Sequence, residues 1–349
     1  MKELLDKYAL HLKLLFIPYL IMLFLLAFPM NFLIYSPGGL TEVDRLIEVD
    51  DEYMSTEAGT ISTTYVMSLP RPTAFEMLLA EFNKYCDTYA LPTSYENYTN
   101  QEINAISYYD KDISVSTSII VAYEEMAKTD PSVVIAYESK VIVFGKASYL
   151  SHYDDIEFGD EFVQMEAEGG LIITPATENS STEIANNTIS GNTYDFTFID
   201  SKGDTYVVGL TKDADTNLFG ITFATYNQVN ADESTPTFAI KASTIGGSSG
   251  GLLQTLAVYN MLSEEDITHG LKVAGTGTMD INGNVGNIGA VKQKVLTAYL
   301  NHVDVFFMSP DDYLTAVNVC VDYGIDYSDW LVSVATFSDA LTYLEGLGE

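Results

Sequence analysis

A pair of serines ringed by glycines opens an apolar stretch at Ile245-Gly246-Gly247-Ser248-Ser249-Gly250-Gly251-Leu252. Glycines let the backbone turn sharply, a hydroxyl on such a turn can attack a carbonyl, and N–H groups at the start of the following helix can hold an oxyanion. The same residues would also suit a flexible loop or a helix N-cap. G-x-S-x-G fits in two registers, centred on Ser248 and on Ser249, so an α/β-hydrolase triad competes. That triad needs a later acid and a histidine. Only His269 and His302 follow, His302 just 53 residues after Ser249, and no H-G oxyanion loop precedes the serines.

A serine can instead be activated by a lysine. Gly286-Asn287-Ile288-Gly289-Ala290-Val291-Lys292-Gln293-Lys294 places a lysine in the first turn of an apolar helix. As a base it must be neutral, so burial has to lower its pKa from about 10.4 by roughly 3 units, near 4 kcal/mol. Lys292 and Lys294 project to nearly opposite faces of a helix, so only one can meet the serine.

The elements that must position these groups follow from periodicity. Helical spacing runs through Thr73–Tyr85, with a cap at Thr73, and through residues 100–128, ended by Asp130-Pro131. After Pro131 the texture becomes mostly β over residues 139–213. Two strands lead into an exposed Ser/Thr/Asn/Gly-rich loop at 166–193 and a hairpin turning at Lys202-Gly203. The last 130 residues alternate strand and helix, with Asn282-Gly283 giving a type I′ hairpin signal.

Composition narrows the partners. With 16 Lys+Arg against 49 Asp+Glu, the formal net charge is −33. A polyanion of this kind does not neutralise phosphates, which excludes nucleic acid. The two cysteines, Cys86 and Cys320, and four histidines give no disulfide scaffold, and neither a metal site nor a cofactor is expected. No G-x-x-x-x-G-K-[ST] motor motif occurs. Leu14–Tyr35 is an uncharged run of 22 residues, long enough to read as a transmembrane helix. Lys2, Lys7 and Lys13 precede it, which places the N-terminus in the cytoplasm and the remainder outside.

With these residues in view, a family resemblance is visible. GGSSGGLLQTLAVYNML, THGLKVAGTGTMDINGNVGNIGAVKQKVLTA and VDVFFMSP resemble the proteolytic domain of Lon-type Ser–Lys proteases. The likeness is strongest to the membrane-anchored, ATP-independent, PDZ-containing Lon-like proteases of Gram-positive bacteria. It implies Ser249 as nucleophile, Lys292 as base, with Lys294 pointing away, and Thr276 supporting the lysine. Oxyanion donors then come from the backbone of Gly247, Ser248 and Gly250. Three positions depart from the family pattern: Ser248 for proline, Gly250 for alanine and Ala290 for the second glycine before the lysine. The segment VIVFGKASYLSHYDDIEFGDEFVQME is similar to a divergent PDZ module without a carboxylate-binding loop.

The resulting expectation is an α+β multidomain protein. It has a cytoplasmic tail (1–13), a transmembrane helix in the bilayer (14–35) and a membrane-proximal helical region (36–138). A PDZ-like module (139–213) and a Lon-type α/β proteolytic domain (214–349) follow. The resemblance implies a serine endopeptidase at the cell membrane that cleaves extracytoplasmic peptides or unfolded proteins, with homo-oligomeric assembly left open. The rival is a catalytically inactive cell-surface scaffold that binds through its PDZ-like module.

Overall fold

The computed structural model describes residues 2–50 and 59–348. Residues 36–60 read from sequence as a turn, a short strand and an acidic loop, and that loop falls largely outside the described residues. Helix α1 (Lys2–Ala27) is followed by strand β1 (Phe32–Glu42), so the uncharged run is divided. Leu14–Ala27 is helical and spans about 21 Å at 1.5 Å per residue, short of a hydrocarbon core of about 30 Å. From Phe32 the run belongs to a sheet, where Leu33 and Ile34 are buried. Pro29 has no N–H to continue a helix; it bridges to Thr73 instead, and the Met30 N–H donates to Pro72 O.

Among the described residues no helix is long and apolar enough to cross a membrane. The expected single-pass helix at 14–35 is therefore corrected. The cytoplasmic tail 1–13, the cell-membrane placement with an extracellular catalytic domain, and the bilayer contact of 14–35 lose their basis with it.

Residues 36–138 also differ from a helical spacer. After the short strand β2 (Ile47–Val49), β3 (Thr60–Pro70) pairs antiparallel with β1 from Leu33↔Pro70 to Glu42↔Ser62. Helix α2 (Ala74–Glu81) starts at the expected Thr73 through a capping box with Glu76, and β4 (Asp87–Ala90) joins the other edge of β1. Helix α3 (Asn100–Met126) is capped by Thr99 and Glu102 and buries Val115, Ile119, Ala122 and Tyr123.

The middle of the chain forms its own sheet. Strands β5 (Val134–Lys146), β6 (Glu161–Glu166), β7 (Ile172–Ile173), β8 (Thr193–Ile199), β9 (Thr205–Thr211) and β10 (Ile221–Thr235) belong to it. The order is β10-β5-β6-β8-β9, with β7 on β6 and helix α4 (Ser180–Asn186) inside the segment read as a loop. Phe162, Met165, Ile173, Phe196, Phe198 and Leu210 fill its core. Because β10 pairs with β5 along nearly its whole length, from Ile221↔Lys146 to Thr235↔Val134, the module occupies 134–235 and not 139–213.

Strand β11 (Phe238–Ile240) pairs with β2 and returns the chain to the first layer. Helix α5 (Gly251–Leu262), β12 (Lys272–Gly275), β13 (Thr278–Met279), β14 (Val285–Gly286) and α6 (Val291–Leu300) follow. The chain ends with β15 (Val305–Met308), α7 (Pro310–Tyr323), β16 (Leu331–Ser333) and α8 (Phe337–Leu347). The main sheet runs β16-β15-β12-β3-β1-β4, parallel from β16 to β3 and antiparallel beyond.

The main layer therefore draws on residues 32–90 as well as the C-terminal region, and does not begin at 214. Helices cover both faces of this sheet, so β15 is apolar at every position. Val305 and Phe307 pack toward α5, α3 and α8, while Phe306 and Met308 pack toward α6 and α7. The β13–β14 turn is not type I′, because Gly283 is left-handed (φ 81°) and Asn282 is not. Asp280 Oδ1 instead accepts from the N–H groups of Asn282 and Asn284, forming a wider turn. Cys86 and Cys320 are both free thiols.

Candidate active site

Ser249 sits one residue before the N-cap of α5, after a turn in which Gly247 takes a left-handed φ of 88°. Its carbonyl is held twice by the strand end that follows β12: Thr276 Oγ donates to it at 3.0 Å and the Gly277 N–H at 2.8 Å. Thr276 is fully buried at the point where β12 leaves the sheet, its own N–H bonded to Phe307 O. The short strand thus fixes the Ser249 backbone through a residue that also faces the lysine.

That lysine is Lys294. Its Nζ lies 2.6 Å from Ser249 Oγ and 2.9 Å from Thr276 Oγ. The side chain is 3% exposed. Burial lowers its pKa from 10.5 to about 7, against the pull of the Asp312 carboxylate, which acts to raise it. Asp312 is itself buried, and burial raises its pKa although it accepts the Ile288 N–H and the Ser309 hydroxyl. At neutral pH about half of the Lys294 amines are neutral and can accept a proton.

Lys292, expected as the base, is not brought to the serine. Its Nζ pairs with Asp87 Oδ1 at 2.7 Å on the opposite side of α6. Burial works against this charge, but Asp87 and Tyr323 together outweigh it and hold the ammonium above the usual lysine range. The expectation that only one lysine reaches the serine stands, with the two exchanged.

A helical reading of α6 carries the signal for this. Val291, Lys294, Val295 and Ala298 fall at i, i+3, i+4 and i+7, so Lys294 lies in the apolar stripe and Lys292 does not. The helix begins at Ala290, whose φ of 57° is a conformation that favours glycine. Ala290 occupies the position where the family pattern has its second glycine.

The oxyanion assignment also changes. The Gly247 N–H donates to Ser107 O at 2.8 Å and the Ser248 N–H to Asp110 Oδ2 at 3.1 Å, so neither is available. The N–H groups of Ser249 and Gly250 have no partner among the described residues and stand at the N-terminus of α5. Of the expected donors, Gly247 and Ser248 are thus committed elsewhere, and the N–H groups of Gly250 and Ser249 are the ones left facing the start of α5. Gly251 is required for close approach, since a Cβ there would lie 2.8 Å from the Met279 backbone nitrogen.

Ser249 and Lys294 open onto a cavity of about 840 Å³. One wall is β3 from Thr64 to Ser68, where β3 has passed its last pairing with β12 at Thr63 and retains only β1 as a neighbour. His269 and His302 are exposed, and neither lines this cavity. Among the described residues no group of three or more His, Cys, Asp or Glu side chains is placed to hold a metal ion.

No protein-family model matches the chain, and no curated protein matches it either.

Proposed function

We propose that the chain is a serine endopeptidase, similar in mechanism to the Lon-type Ser–Lys proteases, that cleaves peptides or unfolded proteins without ATP. The observation that carries this reading is the buried Lys294 amine 2.6 Å from Ser249 Oγ. A lysine buried without a carboxylate bonded to it costs stability, and a hydroxyl partner gives that cost a chemical use.

Neutral Lys294 takes the proton from Ser249 Oγ as that oxygen attacks the scissile carbonyl. The new C–O bond places negative charge on the carbonyl oxygen, which the Ser249 and Gly250 N–H groups receive. The Lys294 ammonium then returns its proton to the leaving amine, the C–N bond breaks, and water repeats the sequence on the acyl-enzyme. Thr276 Oγ donates to the Ser249 carbonyl and accepts from Lys294, so one hydroxyl orients both partners. The flank of β3 opposite β1, which beyond Thr63 pairs with no strand among the described residues, suits an extended peptide whose backbone can add to a strand edge.

Incubation of the purified protein with an unstructured peptide library, without ATP, tests the reading. Wild type should cleave and should be labelled by a fluorophosphonate, while Ser249→Ala should do neither with its fold intact. Neither turnover nor labelling in the wild type would leave a binding protein in place of an enzyme.

A further inference from the structure

Helix α3 carries Ser107, Asp110, Ser114 and Ser118 at spacings of three, four and four, which places them on one face. All four meet the nucleophile loop or the first turn of α5. Ser107 O accepts from the Gly247 N–H, Ser114 Oγ donates to Ser248 O at 3.1 Å, and Ser118 Oγ donates to Gly251 O at 3.0 Å. Gly246 lets the loop lie against this face, since a Cβ there would come within 2.3 Å of Ser107 Oγ.

The Asp110 contact differs in kind. One carboxylate oxygen, Oδ2, accepts both the Ser248 N–H at 3.1 Å and the Ser248 hydroxyl at 2.9 Å. Bonds to an ionised acceptor are about twice as strong as neutral ones. This pair grips backbone and side chain of the residue immediately before the nucleophile.

Resting on the Ser–Lys reading above, we infer that Asp110 is a positioning residue. By holding Ser248 to α3 it orients the Ser249 hydroxyl toward its base and turns the Ser249 and Gly250 N–H groups into the groove. With its N–H committed to Asp110, Ser248 cannot serve the oxyanion, and the turn is fixed at the residue where its direction decides which donors remain. Ser248 stands where the family pattern has proline, a residue with neither an N–H nor a hydroxyl to offer. The rigidity that a proline ring would lend the loop is supplied here by a carboxylate on a separate helix.

The test uses the full chain with Asp110→Ala, Asp110→Asn and Ser248→Ala. Asp110→Ala should quicken amide exchange across residues 244–250 about tenfold. It should slow both kcat and fluorophosphonate labelling of Ser249 by about 30- to 100-fold. KM should stay within about threefold, and the acid limb of kcat should keep its midpoint, because Asp110 acts on geometry and not on the charge of Lys294.

Asp110→Asn retains an acceptor and should recover most of the rate. Adding Ser248→Ala to Asp110→Ala should cost no more than Asp110→Ala alone, as expected for residues acting through one contact. Unchanged exchange and labelling in Asp110→Ala, or a displaced acid limb, would overturn the inference. If Asp110→Ala does not fold, Ser248→Ala decides: quicker exchange across 244–250 with slower labelling supports the inference, and unchanged rates overturn it. A wild type that neither labels nor turns over peptide sinks the Ser–Lys reading, and the exchange measurement still reports whether Asp110 holds the loop.

Discussion

Replacing Lys294 by methionine should abolish turnover and stabilise the fold at the same time. Methionine keeps much of the side chain's length without its charge. The folded-state pKa of about 7 lies below the ordinary 10.5. Between these values the unfolded chain carries a proton that the folded chain has released, so stability rises with pH by about 1.4 kcal/mol per unit. Above 10.5 both states are neutral and the lysine costs nothing. Below about 7 both are charged and the full cost is present, about 5 kcal/mol across the window.

Lys294→Met removes that cost and gives up two hydrogen bonds, each worth about 1 kcal/mol. The variant should therefore be about 2–3 kcal/mol more stable than wild type at pH 6. Urea unfolding of both proteins at intervals from pH 6 to pH 10 measures the gap, which should shrink as pH rises, close near pH 9, where the cost of the lysine has fallen to about the 2 kcal/mol of the two lost hydrogen bonds, and reverse by pH 10. Peptide turnover, measured alongside, should fall by about 10²–10⁴ in the variant. In wild type it should fall about tenfold per unit below pH 7. A gap that does not narrow with pH, a variant less stable than wild type at pH 6, or turnover within tenfold of wild type would refute the reasoning.

Lys292→Ala should cost only about 0.5–1 kcal/mol, since its pairing with Asp87 is partly exposed, and should leave turnover within about threefold of wild type. A hundredfold loss of peptide turnover would return the base to Lys292. Ala290→Gly should stabilise the protein by about 0.5–1 kcal/mol, the relief of a left-handed alanine less the added freedom of the unfolded chain. Chemical denaturation checks it, and a destabilised variant would show that Ala290 is not strained.

The sequence made the local chemistry legible and left the long-range partners hidden. Ser249 and Thr276 lie where the motifs placed them, and Thr73 caps α2 as its side-chain chemistry requires. Motif position favours Lys292 but carries no information on burial, whereas the apolar stripe of α6 runs through Lys294.

Leu14–Tyr35 illustrates a different limit. An uncharged apolar run is compatible with a spanning helix or with a helix followed by a buried strand. Only the pairing of Leu33 and Ile34 with Pro70 and Leu69 decides between them. Strand β10 looked like part of the C-terminal layer because it adjoins it in sequence, yet its partner is β5. Asp110 had no local signal at all: its meaning lies in Ser248, 138 residues away.

The pairing of β3 with β12 has a consequence for how the protein is made. Thr64 Oγ bonds Gly275 O across 211 residues of chain, and the whole β-rich module is synthesised between the two strands. As the polypeptide leaves the ribosome, β1, β3 and β4 can assemble early, but the flank of β3 that later receives β12 stays bare until the last third of the chain arrives. Closing so long a loop is slow, and an uncovered strand flank invites mispairing in the interval. The module, whose strands find one another within a short stretch of sequence, can be complete before the main layer closes. Ser249 and Lys294 meet only when β12 and α6 dock, so on the proposed Ser–Lys mechanism a chain cut short before α6 holds the serine without the lysine and is born unable to cut.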